Sequence, residues 1–249
     1  MYTYAVILAA GTGKRMGGDI PKQFISIKGK PIIAYTVETF LNAREINRIV
    51  IVASGSFIHD TGNIIDYYFG KSHAQEEDKK IEVISGGVER IDSLINAIEF
   101  IKKEAAAEGR NPSDIMVVSH DAARMFVTEK MIIESINAAK ESGASTVAVA
   151  STDTMLESSD GSVISSIPDR RMMYRVQTPQ TFKLNVFSPL VENLTQEKKK
   201  TMTDAAGICN ENGIKVKIVE GSEENIKITF PRDIKIAEMQ LDNNYKKVL

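Results

Sequence analysis

Four glycines and three cations crowd one loop near the start of the chain. Residues 8–24 read LAAGTGKRMGGDIPKQF, with Gly11, Gly13, Gly17 and Gly18 spacing Lys14, Arg15 and Lys22. Glycine-rich backbone can turn successive N–H groups toward one anion, and nearby cations add charge, so these residue types suit a phosphate cradle. A dinucleotide fingerprint is excluded: Met16 stands where its third glycine belongs, and the second apolar run ends in IVASGS with no acid. A P-loop is excluded too, because Asp19 and Ile20 follow Gly18 where Lys and Ser/Thr are required. Three further stretches put glycine or charge next to apolar runs: SGGVERIDS (85–93), SHDAAR (119–124) and ENIKIT (224–229). Arg90 falls in the first turn of a helical pattern, where the helix dipole disfavours a cation, so a compensating partner is expected. His120 reads as a structural histidine at a strand end.

These stretches need elements to bring them together. Strand-like and helix-like segments alternate: strands at 3–9, 48–54, 80–85, 114–120 and 145–151, helices at 30–43, 89–107 and 128–142, the last starting at a Thr cap. The run TYAVILA has the continuous apolarity of a strand buried on both faces. Such alternation predicts an α/β fold, a mostly parallel Rossmann-like sheet flanked by helices on both faces. In an open parallel sheet ligands bind beyond the carboxyl ends of the strands, which pools the four stretches into one site. The pattern changes at 152–171, where a Ser-Ser-Asp-Gly turn between two short β-prone runs predicts a protruding β-hairpin, a lid or a dimerisation arm. Helices at 183–193 and about 203–212, strands at 215–221 and 224–230, and a final helix from Pro231 complete the reading.

The bulk numbers are those of an ordinary globular chain: 249 residues, 43% hydrophobic and 26% charged. No repeat, low-complexity tract or linker divides it, so one domain over 1–249 is expected, with an arm at about 152–175. A formal net charge of −2 gives no reason to expect nucleic acid or a membrane surface as partner. No apolar run is long enough to span a bilayer. The lone Cys209 excludes an internal disulfide and reads as a small buried hydrophobe, and a reducing, cytoplasmic location is the simplest expectation.

The opening loop resembles the signature of nucleotidylyltransferases that activate sugar or polyol phosphates. In particular it is similar to the cytidylyltransferases acting on methylerythritol 4-phosphate and ribitol 5-phosphate, which share one family and fold. GGVERIDS (86–93), HDAAR (120–124), QTPQTF (177–182), TDA (203–205) and NIKIT (225–229) match that family's remaining motifs in order, so the likeness runs nearly end to end. It implies that CTP and a polyol phosphate are the substrates, Mg²⁺ the cofactor, and a homodimer formed through the arm the assembly. Arg15, Lys22 and Lys227 match the family's catalytic cations around the α-phosphate. Ala9, Ala10, Gly11, Thr12, Gly13, Lys14, Gly86, Arg90, Ser93 and Ala122 match its nucleotide-binding positions. Asp121 matches a position near metal and acceptor, and Arg124, Thr152, Gln177 and Thr178 match acceptor-side positions. The acceptor phosphate is already ionised at neutral pH, so no general base is required.

The arm bears on the acceptor. In methylerythritol-phosphate enzymes it begins with an Arg in V-R-D-T that reaches the acceptor phosphate of the neighbouring subunit. This chain reads ASTDTML, with Thr152 at that position, and a Thr replaces neither the charge nor the paired donors of an Arg. IPDRRMMYRVQTPQTF (167–182) and the spacing of LTQEKKKTMTDA are similar to the ribitol-phosphate branch, and Arg170, Arg171 or Arg175 is a candidate for the missing charge. Met125 follows HDAAR where Pro is usual in both groups. The expected reaction is therefore cytidylyl transfer to D-ribitol 5-phosphate, with 2-C-methyl-D-erythritol 4-phosphate as the alternative acceptor. A sugar-1-phosphate nucleotidylyltransferase shares the opening loop but not the later motifs together. A non-catalytic nucleotide-binding protein has no need of cations around an α-phosphate.

Overall fold

The structure, a computed structural model, describes every residue except 12, 18–19, 74–78, 193, 203 and 249; side chains at 14, 71–73, 196, 200 and 244–248 are not described. Nine strands and eight helices follow one another along the described residues: β1 (Tyr2–Ala9), β2 (Ser26–Ile27), β3 (Lys30–Pro31), α1 (Ile32–Asn42), β4 (Arg48–Ala53), α2 (Ile58–His73), β5 (Ile81–Ser85), α3 (Arg90–Ala107), β6 (Ile115–Asp121), α4 (Glu129–Ser142), β7 (Ala144–Ala150), β8 (Tyr174–Lys183), α5 (Leu184–Glu192), α6 (Gln196–Thr201), α7 (Ala205–Glu211), β9 (Val216–Glu220) and α8 (Pro231–Val248). Seven strands form one sheet in the order β5-β4-β1-β6-β8-β7-β9. Pairing is parallel except along β8, which runs antiparallel to β6 and β7. The fold is the expected α/β, mostly parallel and Rossmann-like.

β1 shows why the sheet is covered on both sides. Its side chains alternate, Ala5, Ile7 and Ala9 packing with α1, α2 and α4, and Tyr4 and Val6 with α3, α5 and α7. From β1 the chain builds outward through β4 and β5, then returns to place β6 on β1's other side. The strand order thus reverses between β1 and β6, and the crevice at their carboxyl ends is where such sheets take ligands.

Three departures from the sequence reading have physical causes. α2 is missing from that reading because Gly62 and Gly70 interrupt it and, among its described side chains, the buried face is the Thr61, Ile65 and Phe69 stripe. β8 is missing because a proline inside QTPQTF argues against a central strand. The register between β7 and β8 steps from Thr146–Gln180 to Ala148–Val176, so Pro179, after a cis peptide bond, sits in that irregularity. The strand expected at 224–230 does not form. Asn225 is buried there and its amide donates to the Gln177 side chain (3.2 Å) and the Thr178 carbonyl (3.1 Å), while Ile228 N–H donates to Ala123 O (2.9 Å). Those bonds hold the segment across the site instead of along a strand.

The arm is present, though not as two regular strands. Ser151 N–H donates to Met173 O (2.8 Å) at its base, and Glu157 and Ser166 form a single antiparallel bridge. The predicted turn is built by Asp160, whose Oδ1 accepts from the N–H groups of Ser162 and Val163 (2.8 and 3.0 Å). Leu156, Val163, Ile164 and Ile167 are exposed along it, so among the described residues no apolar face draws the two runs into longer pairing.

Candidate active site

The carboxyl ends of β1 and β6, the start of α3 and the 227–229 segment enclose a cavity of about 340 Å³. Four cations, Arg15, Lys22, Arg90 and Lys227, line it against two carboxylates, Asp121 and Glu89. The surplus of positive charge suits a polyanion.

The opening loop leaves β1 at Ala9 and passes through two short helical turns, Lys14–Met16 and Lys22–Phe24. Gly13 makes the return possible: its φ is +68°, and a Cβ there would lie 3.1 Å from the Lys22 backbone N. Gln23 anchors the loop from beneath, its buried amide donating to Ala9 O (2.6 Å). Opposite, Gly86 allows close approach, since a Cβ would meet Ala10 Cβ at 2.6 Å and Ser93 Oγ at 2.8 Å. Ser93 Oγ accepts from Gly87 N–H (3.2 Å) and donates to Glu89 O (3.3 Å), closing this wall.

Asp121 is the electrostatic centre. Lys227 Nζ lies 2.7 Å from Oδ2, Arg90 Nε donates to Oδ1 at 3.0 Å, and Arg124 Nε stands 3.9 Å away. Burial alone would push this carboxyl up, but Arg90, Lys227 and Arg124 together hold it below the usual carboxylate range. Asp121 is the compensating partner that Arg90 needs at a helix start. Lys22 is half-buried, donating to Ile228 O (2.8 Å); burial, then the charge of Lys227, lowers its ammonium to about 8. An incoming phosphate would reverse that shift by supplying the missing counter-charge.

A hydrogen-bond chain fixes Asp121 from behind. His120 Nε2 faces the Arg124 carbonyl (3.1 Å), which can only accept, so Nε2 carries the proton. Nδ1 then accepts from Thr178 Oγ1 (2.9 Å), and Thr178 Oγ1 accepts from Asp121 N–H (3.2 Å). Burial lowers the imidazole to about 4, so it stays neutral: His120 is structural, as its position in the sequence suggests. Cys209 is buried and its thiol is pushed up to about 12 by burial, which makes it inert.

Of the residues singled out in the sequence, Ala9, Ala10, Gly11, Gly13, Arg15, Lys22, Arg90, Ser93, Asp121, Ala122 and Lys227 line the cavity, and Gly86 packs just behind it. Thr12 lies outside the described residues, and for Lys14 only the backbone turn is described. The acceptor-side residues are placed differently. Arg124 donates to Asn225 O (2.8 Å) and Val176 O (3.4 Å), Gln177 donates to Ser222 O (2.8 Å), and Thr178 serves the chain just described. All three brace the site from outside the cavity, and Thr152 is exposed at the base of the arm, away from the lining. Met125 is buried with Ile27, Ile32, Ile228 and Ala237, so its side chain anchors the 227–229 segment and α8. The lining also takes in Leu8, Gln23, Gly87, Val88, Glu89, Ala123 and Thr229, which sequence reasoning left out; each lies inside a quoted motif, close to a residue singled out there.

Among the described residues no group of three His, Cys, Asp or Glu side chains forms a metal cage. A Mg²⁺ carried by substrate phosphates needs only one or two protein carboxylates. Asp121, ionised and at the centre of the cluster, fits that minimal donor set.

Residues 3–243 match the family described as 2-C-methyl-D-erythritol 4-phosphate cytidylyltransferase. The chain is similar to the structure of that enzyme from Francisella tularensis, with 28% identity, a TM-score of 0.74, and 96% of this chain and 100% of that one covered. It shares its fold with a 4-diphosphocytidyl-2C-methyl-D-erythritol synthase from Anaerococcus prevotii (24% identity, TM-score 0.76, covering 97% and 96%). A third structure, a 2-C-methyl-D-erythritol 4-phosphate cytidylyltransferase from Thermus thermophilus, shares the fold at 23% identity, TM-score 0.66, covering 96% and 98%. With a glycine-walled, cation-lined cavity at the β1/β6 switch point and a match over nearly the whole chain, the protein belongs to the 2-C-methyl-D-erythritol 4-phosphate cytidylyltransferase family.

Proposed function

We propose that the protein transfers the cytidylyl group of CTP to a polyol phosphate, releasing pyrophosphate. The observation that carries this reading is the cluster of Arg15, Lys22, Arg90 and Lys227 in one cavity beside a glycine-rich loop, with Arg90 and Lys227 paired to Asp121. The base lies against Ala9, Ala10 and the Gly86–Ser93 wall, and the triphosphate follows the opening loop. An oxygen of the acceptor phosphate attacks the α-phosphorus in line. The new P–O bond forms as the bond to the β-phosphate bridge breaks, and the electron pair leaves with pyrophosphate. Two anions must meet and charge builds on the equatorial oxygens, so Lys22, Lys227 and Arg15 act by position and electrostatics. Asp121 keeps the cations assembled before substrate arrives, and would hold Mg²⁺ together with triphosphate oxygens. Bound there, Mg²⁺ would supply further neutralisation of phosphate charge.

The comparisons favour 2-C-methyl-D-erythritol 4-phosphate as the acceptor over the D-ribitol 5-phosphate expected from the sequence, and in that reading the protein serves isoprenoid precursor synthesis. One observation favours a second reading, D-ribitol 5-phosphate: Thr152 stands in place of the arm arginine that meets the methylerythritol acceptor. The separating experiment follows pyrophosphate release with Mg²⁺, CTP and each acceptor in turn. A kcat/KM preference for methylerythritol phosphate supports the first reading, a preference for ribitol phosphate replaces it with the second, and inactivity with both overturns the proposal. The arm, with its exposed apolar residues, is proposed to pair two copies of the chain.

A further inference from the structure

The wall formed by Gly86–Glu89 stands at the mouth of the cavity with little apolar packing of its own; Val88 at its tip is 94% exposed while lining the cavity. Much of that wall rests on Asp92, in the first turn of α3. A Cβ on Gly87 would lie 2.3 Å from Asp92 Cβ, so the wall touches that residue's side chain directly. Asp92 Oδ2 accepts from Glu89 N–H (3.2 Å), one half of a reciprocal capping box in which the Glu89 side chain accepts from Asp92 N–H. The other oxygen, Oδ1, accepts from Lys199 Nζ (3.0 Å), on α6, 107 residues further along the chain. Both partners of this ion pair are largely shielded, with side chains 18% and 24% exposed.

We propose that Lys199 is a positioning residue for nucleotide binding: through Asp92 it holds the Gly86–Glu89 wall in register against the opening loop. It acts in two ways. The ammonium fixes the orientation of the Asp92 carboxylate, on which the Glu89 N–H cap depends, beside the point where Gly87 packs on the Asp92 Cβ and backbone. It also neutralises a carboxylate beside a site that takes a polyanion, where an uncompensated charge would repel the triphosphate. Lys199 itself does not line the cavity, so its influence falls on nucleotide affinity and leaves the reacting atoms untouched. This inference rests on the proposed CTP site, and its test is chosen to separate the two.

The test compares Lys199→Met, Lys199→Arg and, as a control on the same helix, Lys198→Met. Steady-state kinetics with CTP is run alongside hydrogen exchange at the Gly87 and Glu89 amides in the nucleotide-free protein. Lys199→Met should raise KM for CTP roughly ten-fold, the scale of one lost charge-assisted hydrogen bond, with kcat within two-fold or so of the parent. The same variant should speed exchange at both amides, Lys199→Arg should restore both readouts, and Lys198→Met should change neither. Unchanged KM and unchanged exchange in Lys199→Met overturn the proposal, as does a fall in kcat at constant KM. If the parent protein does not turn over CTP, the proposed function fails; the exchange rates then still decide whether Lys199 holds the wall.

Discussion

At the residue scale the site is a charge problem solved before substrate arrives. Four cations cannot sit around one cavity without mutual repulsion, and the cost is visible in Lys22, whose ammonium is lowered to about 8 by burial and by Lys227. Asp121 offsets part of it by engaging Arg90 and Lys227 directly. Substrate phosphates complete the neutralisation, so removing a cation should damage turnover far more than folding. Lys22→Ala and Lys227→Ala are each expected to lower kcat by about 10²- to 10³-fold, the scale of losing one preorganised charge stabiliser, with unchanged circular dichroism. Near-parental turnover in both variants would contradict the mechanism. The glycine- and cation-rich loop stands out in the sequence by itself, but the roles of Lys22 and Lys227 were read from their match to the family's motifs. Arg124, Gln177 and Thr178 stand out equally, yet they brace the site from behind, because a polar residue that meets a ligand and one that meets a backbone carbonyl look alike until the chain is folded.

At the element scale the site depends on how β6 and β8 are locked together. The chain from Asp121 N–H through Thr178 to His120 crosses between these strands and ends on the Arg124 carbonyl. Its central imidazole must stay neutral. With a folded value of about 4 against an ordinary value near 6.5, the unfolded chain takes up this proton first as pH falls. The contribution is fully present above pH about 6.5 and is lost progressively down to about 4, a loss on the order of 3 kcal/mol. Urea unfolding at pH 7.5 and pH 5 should therefore show an acid-induced loss of stability that shrinks in His120→Gln. An equal loss in both proteins would show that His120 is not its source. The elements that sequence patterning read well, β1, β4, α3, α4 and β6, carry clean apolar periodicity or a recognisable cap such as Thr128, whose side chain accepts from Met131 N–H. β8 was illegible because its pairing is non-local and straddles a proline, and α2 because tertiary packing of a three-residue stripe outweighs its poor local pattern.

At the scale of the whole molecule, the strand order explains how segments as distant as 8–24, 86–93, 120–124 and 225–229 meet. They need only lie at the same ends of β1, β5 and β6, with the last segment drawn in through Asn225 and Ile228. Periodicity and the rule for open sheets made that convergence legible. The arm was legible as a turn, from Asp160 and Gly161, but its irregular backbone was not, because the exposed Leu156, Val163, Ile164 and Ile167 supply no packing that would straighten it. If two copies pair through it, Ile164→Asp should shift the protein toward monomer in sedimentation velocity while leaving its secondary structure intact; an unchanged sedimentation coefficient would remove the arm from the interface. The central claim concerns which bond of CTP breaks, and isotopic labelling reads it directly. With Mg²⁺, the preferred acceptor and CTP labelled at the α-phosphorus, the account predicts that all label entering product is found in the CDP-polyol while unlabelled pyrophosphate is released. Label appearing in CMP, or inorganic phosphate released from the γ-position with no CDP-polyol formed, would contradict it.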